Sequence, residues 1–458
     1  MKPEAVTLAK EFVAFLNKAV TPFHAVDECT KLLVGAGFQE LKESESWNIE
    51  PTKKYFVTRN KSALIAFAVG GKFKPGNGFS MIAGHTDSPV LKVKPVSNVK
   101  AAGCLQVGVS TYGGGLWRTW FDRDLTVAGK VIVLENDCLT EKLVHIKRPI
   151  LYVPSLAIHL ESDKSSFCPN KEDHLKPIIA TEATDALNSE SKEKCDTKKT
   201  DHHTCLLKAI AHEAQVGVDC ILDLDLCLLD CQPACLGGIH EEFVSGARLD
   251  NLVGTYTAVR SLIDSLSDSA AFNDDCNTRV AMCFDNEECG SESAAGASSG
   301  LTEWVLRRIS AGGSQTAFEE AVPKSYLISA DQAHALHPNY QGKHEANHAV
   351  KFHSGVVVKI NYSQRYATTA FTHAILKQIA QKANVSLQKY VVRNDSPCGS
   401  TIGPLLSTEL GLQTVDVGTT QWSMHSVREM CDVTGLYDAV QLYKTFYGTL
   451  PQVLSRIK

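Results

Sequence analysis

From residue 248 to the C-terminus, short apolar runs alternate with stretches whose apolar residues recur at helical spacing. "RVAMCF", "SYLISAD", "GVVVKIN" and "TVDVG" have the length and composition of strands. "RLDNLVGTYTAVRSLIDSL", "TEWVLRRIS", "TTAFTHAILKQIAQKANV" and "GLYDAVQLYKTFYGTL" have the spacing of helices. Strands that alternate with helices can bury both faces of a sheet only if the helices cover it. The pattern therefore predicts an α/β fold with a mixed, largely parallel sheet flanked by helices. "SALIAFAVG" and "GFSMIAGHTDSP" supply two earlier strands. At the N-terminus, Val6, Ala9, Val13, Leu16 and Val20 fall on one helical face.

Between residues 97 and 242 the character changes to β-branched runs, "LQVGVSTY", "LTVAGKVIVLEN", "KRPILYV" and "CILDLDLCLLD". This block reads as an inserted β-rich domain that splits one α/β domain into residues 1–96 and 243–458. A chain of 458 residues is too long for one ordinary core, which agrees with two domains. Residues 187–205, "LNSESKEKCDTKKTDHHTC", are polar and highly charged and predict a solvated, flexible loop in which His202 and His203 have no fixed role.

With 44% hydrophobic and 21% charged residues and a net charge of -5, the chain has no basic excess to suit nucleic acid or an anionic membrane. No run approaches the ~18 apolar residues of a membrane span. Glu4, Lys10 and Glu11 interrupt the apolar pattern of the N-terminus, unlike a signal peptide. Fifteen cysteines, an odd number with no CxxC pair, fit reduced thiols in a cytoplasmic protein, and Cys227, Cys231 and Cys235 read as structural thiols.

Several apolar runs end in metal-type ligands. "FSMIAG" ends in His85, "VAMCF" in Asp285 and the adjacent Glu287 and Glu288, and "YLISA" in Asp331. The carboxyl ends of strands in such sheets converge on one crevice. Imidazole and carboxylate suit zinc and related divalent ions. Asp250 precedes a helical pattern and reads equally as an N-cap or a ligand, and Asp331 equally as the cap of a turn. Asp87, two residues after His85, can hold the second ring nitrogen of a ligating histidine. Adjacent side chains at a strand end diverge, so one glutamate can ligate while the other serves as a general base toward water.

The motifs "GHTDSP", "STYGGGLWRTWFDRDL", "RLDNL", "DNEECGSES", "SADQAHALHPNY", "NYSQRYA", "DSPCGSTIGP" and "MHSVREM" together resemble metallopeptidase family M18, the aspartyl aminopeptidases. The resemblance implies a dizinc exopeptidase-like domain with an inserted β-rich dimerisation domain. It also implies removal of N-terminal Asp or Glu from peptides and a tetrahedral dodecamer built from dimers, with active sites facing an inner chamber. By the same resemblance His85 and Asp331 hold one divalent ion, Glu288 and His425 the other, and Asp250 bridges them. Zinc is the expected ion, with one site exchangeable for Mn or Co. Glu287 is the general base, and Asp87 belongs to the catalytic set. His334, Lys359 and Tyr366 line the substrate pocket, and His159 reaches the active site of a neighbouring subunit. A related dizinc peptidase of broader specificity remains open at this point. Asp285 is given no role.

Overall fold

The computed structural model describes residues 2–162, 164–188 and 200–457. The chain forms two compact units, Met1–Ser88 with Ala234–Met424 and Glu429–Lys458, and Pro89–Pro233 with His425–Arg428.

The first unit is built on a nine-stranded sheet in the order Gln39–Glu40, Lys54–Arg59, Ala63–Val69, Thr278–Phe284, Phe79–His85, Tyr326–Ala330, Gln413–Gly418, Val356–Lys359 and Leu387–Tyr390. The four strands from Thr278–Phe284 to Gln413–Gly418 are mutually parallel. Ala63–Val69 and Val356–Lys359 flank them antiparallel. Every residue of Thr278–Phe284, Phe79–His85 and Tyr326–Ala330 is buried, which is why these strands read as continuous apolar runs. Alternate side chains enter opposite cores. Ala281 and Cys283 pack with the helices Pro3–Leu16, Leu249–Ser265 and Val433–Leu454. Val280, Met282 and Phe284 pack with Leu301–Ile309 and Ile402–Leu410. Helices therefore cover both faces, as the alternation requires.

The N-terminal helix buries Ala5, Leu8, Ala9, Phe12, Phe15 and Leu16, while Val6 and Val13 are only half-buried. Phe12 and Phe15 turn the stripe, both packing on Tyr256 at centroid distances of 5.2 and 5.1 Å. A smaller sheet of the same unit, in the order Cys235–Gly237, Phe243–Gly246, Glu429–Asp432, Thr420–Trp422 and Ala333–His334, carries Glu429 and His334.

The second unit is a six-stranded sheet in the order Cys138–His145, Leu125–Glu135, Ile221–Asp230, Val90–Ala101, Cys104–Tyr112 and Ile178–Thr181, with antiparallel neighbours throughout. "KRPILYV" departs from expectation, making only isolated bridges at Leu151 and Tyr152. Pro149 has no N–H to give a ladder there. Of the expected loop 187–205, residues 189–199 lie outside the described residues. Its flanks belong to the helices Glu182–Asn188 and Thr204–Ala214. His202 and His203 are anchored instead of solvated. Nδ1 of His202 lies 2.8 Å from Ser97 Oγ, and Nε2 of the buried His203 lies 3.1 and 2.9 Å from the carbonyls of Val99 and Gln106. Among the described residues no helix is long and apolar enough to cross a membrane.

Candidate metal centre

The parallel register sets Phe284 beside His85, so the chain leaves neighbouring strands along one edge of the sheet. His85, Glu287, Glu288 and Asp331 all follow from that edge. After Phe284 the chain reverses at Asn286, whose φ of 63° is tolerated by its short polar side chain, and enters a single tight turn, Glu287–Cys289. Asp87 clamps this turn, its two carboxylate oxygens accepting from the backbone N–H groups of Glu287 at 3.1 Å and Glu288 at 3.0 Å.

Asp250 lies in the first turn of Leu249–Ser265 but has non-helical backbone angles, and the N-cap position belongs to Arg248. Its backbone is fixed from both sides. Its N–H donates to Glu429 Oε2 at 3.1 Å, and its carbonyl accepts from Ser88 Oγ at 2.6 Å. Thr255, one turn along the same helix, donates to the carbonyl of His85 at 2.7 Å.

His85 is 2% exposed. Its Nδ1 lies 3.1 Å from the carbonyl of Asp87 and 3.3 Å from Asp87 Oδ1. A carbonyl only accepts, so the ring hydrogen sits on Nδ1 and the lone pair of the neutral ring on Nε2. That lone pair faces carboxylate oxygens of Asp250 at 3.4 Å, Glu287 at 3.7 Å and Asp331 at 3.8 Å. Acceptors that face one another are satisfied only by a cation or a proton between them. Two overlapping sets, His85–Asp250–Asp331 and His85–Glu287–Glu288, each offer ligand atoms within 4.8 Å of one another. The donors are imidazole nitrogen and carboxylate oxygen, the chemistry that suits zinc.

The electrostatics agree. Burial, then the charges of His85, Asp331, Asp250 and Asp87, act on Glu287 and leave it pushed up to about 8, with only His85 opposing. Burial, and next Asp250, push Glu288 well above the ordinary carboxylate range. Burial alone would depress His85, but Glu287, Asp250, Asp331 and Asp87 outweigh it and hold the imidazole well above its ordinary value. Crowded buried carboxylates favour a proton or a cation between them.

Residues 15–447 match the family described as "Aminopeptidase I zinc metalloprotease (M18)". The chain belongs to the M18 aminopeptidases. It is 58% identical to an aspartyl aminopeptidase of Caenorhabditis elegans over 462 residues, covering 100% of this chain and 98% of that one. Its fold matches a chain of the cryo-EM structure of the Ape4 and Nbr1 complex with a TM-score of 0.96, 45% identity, and coverage of 99% and 88%. It also matches the mApe1 dodecamer of Saccharomyces cerevisiae with a TM-score of 0.85 and 28% identity, covering 98% of each chain. As an M18 enzyme it is a metallo-aminopeptidase, a hydrolase of peptide bonds.

The other residues singled out in the sequence of this M18 aminopeptidase lie as follows. Lys359 is 2% exposed in an interior strand, with Nζ donating to Asp331 Oδ2 at 3.2 Å and to the carbonyl of Gln332 at 3.0 Å. The ammonium also sits 5.1 Å from the ring centroid of the buried Tyr366. His334 is exposed and meets Tyr390 edge-on. His159 lies in the second unit, in the exposed stretch 154–160. His425 belongs to the second unit too, where its Nδ1 lies 3.0 Å from the carbonyl of Gly114. The same tautomer logic puts its lone pair on Nε2. The triple glycine of "TYGGGLW" therefore forms the seat of this histidine, and Leu116 N–H donates to its carbonyl at 2.8 Å.

Asp285 has its Oδ1 accepting from the N–H of Asn286 at 2.8 Å, which stabilises the turn that presents the two glutamates. Glu429 and Ser88, which orient Asp250, were not singled out. Glu429 lies inside "MHSVREM" and Ser88 inside "GHTDSP", so membership of a chemistry-bearing motif was the only signal.

Proposed function

We propose that this M18 aminopeptidase removes N-terminal Asp or Glu from peptides, using two divalent ions and a glutamate general base. The observation that carries the metal part is the Nε2 of His85 among three carboxylates. His85 and Asp331 would hold one ion, Glu288 the other, and Asp250 would bridge. His425 enters as the second ion's remaining ligand on the family resemblance. When bound, the ions polarise the scissile carbonyl and acidify the attacking water. Glu287 takes the water's proton and passes it to the leaving amine. Asp87 keeps His85 in its ligating tautomer and fixes the turn that carries both glutamates.

The acidic preference is supported by the name of the Caenorhabditis elegans relative and by Lys359. An ammonium has three donors. Asp331 and Gln332 take two, and the third is what a substrate carboxylate beside Tyr366 and His334 would engage. Similarity to the yeast mApe1 dodecamer supports a closed homo-oligomer in which His159 serves a neighbouring site.

A panel of peptides differing only in the N-terminal residue, assayed with added zinc, manganese or cobalt and with chelator, tests the reading. Activity on Asp and Glu that the chelator abolishes is the expected result. Lys359→Leu is expected to lower kcat/KM for Asp-peptides roughly 10–100-fold more than for Leu-peptides, the size of one hydrogen bond to a charged group. Some loss on both substrates follows from the contact with Asp331, so the ratio is decisive. Equal losses on both would remove Lys359 from substrate recognition.

A further inference from the structure

Asp416 lies within the central strand Gln413–Gly418, wholly buried, and the chemistry above makes no use of it. A buried carboxylate is costly unless its oxygens are satisfied. Here each oxygen is given to a different loop. Oδ2 accepts from the backbone N–H of Ala367 at 2.6 Å, and Oδ1 accepts from Thr401 Oγ1 at 2.5 Å. The N–H of Asp416 donates to Thr368 Oγ1 at 2.9 Å, which fastens the first loop a second time.

Residues next to these two contacts line one space. Ala367 directly follows Tyr366. Thr401 follows the segment Cys398–Gly399 and precedes the helix Ile402–Leu410. Tyr366, Cys398 and Gly399, with His334 and Tyr390, line a cavity of about 450 Å³. At the start of the helix, a Cβ on Gly403 would lie 2.5 Å from Asp416 Oδ2 and 2.7 Å from Oδ1, so only glycine lets the helix seat against the carboxylate. Burial raises Asp416 above the ordinary carboxylate range, and the foremost group opposing it is Lys359. Lys359 in turn bonds Asp331. Lys359 thus stands between two carboxylates, bonded to Asp331 and acting electrostatically on Asp416.

We infer that Asp416 is the positioning residue of the specificity pocket, fixing Tyr366 through Ala367 and the Cys398–Gly399 segment through Thr401 so that the substrate's first side chain meets the cavity beside Lys359 in a single arrangement. The inference rests on the pocket assignment proposed above. It does not require that the first side chain be acidic.

The test uses the full-length, metal-loaded enzyme and the variants Asp416→Asn, Asp416→Ala, Thr401→Val and Gly403→Ala. For each, kcat, KM, bound metal and melting temperature are measured. Asp416→Asn is expected to keep the parent's metal content and kcat within about 3-fold while KM rises about 10-fold, the size of a lost hydrogen bond to a charged group. Asp416→Ala should raise KM further, with Asn a partial rescue. Thr401→Val, which cuts one contact only, should raise KM by less, and Gly403→Ala should resemble Asp416→Asn. Should Asp416→Ala fail to fold, the Thr401 and Gly403 variants carry the test. Variants that lower the melting temperature with KM unchanged overturn the inference, as does a fall in kcat with metal loss at constant KM. KM is read on whichever N-terminal residue the parent prefers. A parent without acidic preference thus counts against the proposed substrate and leaves the positioning test intact.

Discussion

Glu287→Gln is expected to lose roughly 10²–10⁴-fold in kcat while holding as much metal as the parent enzyme. The amide is nearly isosteric with the carboxylate but cannot take a proton from water. Its backbone position does not depend on the side chain, because Asp87 holds the N–H groups of residues 287 and 288 whatever the side chain at 287. The substitution therefore removes the base and leaves the frame. Glu287 Oε2 stands 3.7 Å from His85 Nε2, close enough to the ligand cluster to serve water there. Metal analysis beside steady-state kinetics separates the two glutamates. Glu288→Gln, by contrast, should lower metal content. A Glu287→Gln enzyme with the parent's kcat would make Glu288 the remaining candidate base. One that lost a metal ion would make Glu287 a ligand.

The edge that carries the candidate site was legible because charge at the end of a buried run is an anomaly that sequence exposes. His85, Glu287 with Glu288, and Asp331 each terminate a run whose every residue is buried, and a parallel sheet gathers such ends automatically. Asp416 carries no comparable signal. In "TVDVG" it looks like the polar member of an alternating strand, and its partners Ala367 and Thr401 are 49 and 15 residues away. Only the tertiary fold shows that the alternation points it into a second core, not into solvent. Lys359 stood out in sequence as a lysine within an apolar strand, but its partners did not. Its strand runs antiparallel to Gln413–Gly418, a direction that no single-strand pattern encodes, and its ammonium bonds Asp331 and acts on the buried Asp416. His202 and His203 show the opposite failure, since a charged neighbourhood masked two side chains fixed by backbone carbonyls and a serine.

Stripped of metal, the enzyme is expected to lose stability as pH rises from about 5 to 8, whereas the zinc-loaded enzyme should change little over that range. Glu287, ordinarily near 4.5, is pushed up to about 8, mainly by burial. Between those values the folded chain keeps a proton that the unfolded chain has released, so each step up in pH favours unfolding. Glu288, raised in the same way, adds to the effect. His85 acts in the same direction. Its value lies well above the ordinary 6.5, so the stability from its charged contact with Asp250 and Asp331 is present below 6.5 and is lost as pH climbs through the raised value. All three groups act with one sign, and each unit of displacement is worth on the order of 1.4 kcal/mol. Divalent ions compete with protons for the same oxygens and for Nε2, so loading must expel protons and bind more tightly at higher pH. The gap in melting temperature between loaded and chelated protein should therefore widen steadily from pH 5 to 8. Calorimetric metal titrations in two buffers of different ionisation enthalpy should count the protons released. A chelated enzyme whose melting temperature climbed across this interval would mean that these carboxylates ionise freely without a cation, and the cluster would lose its electrostatic reason to bind one.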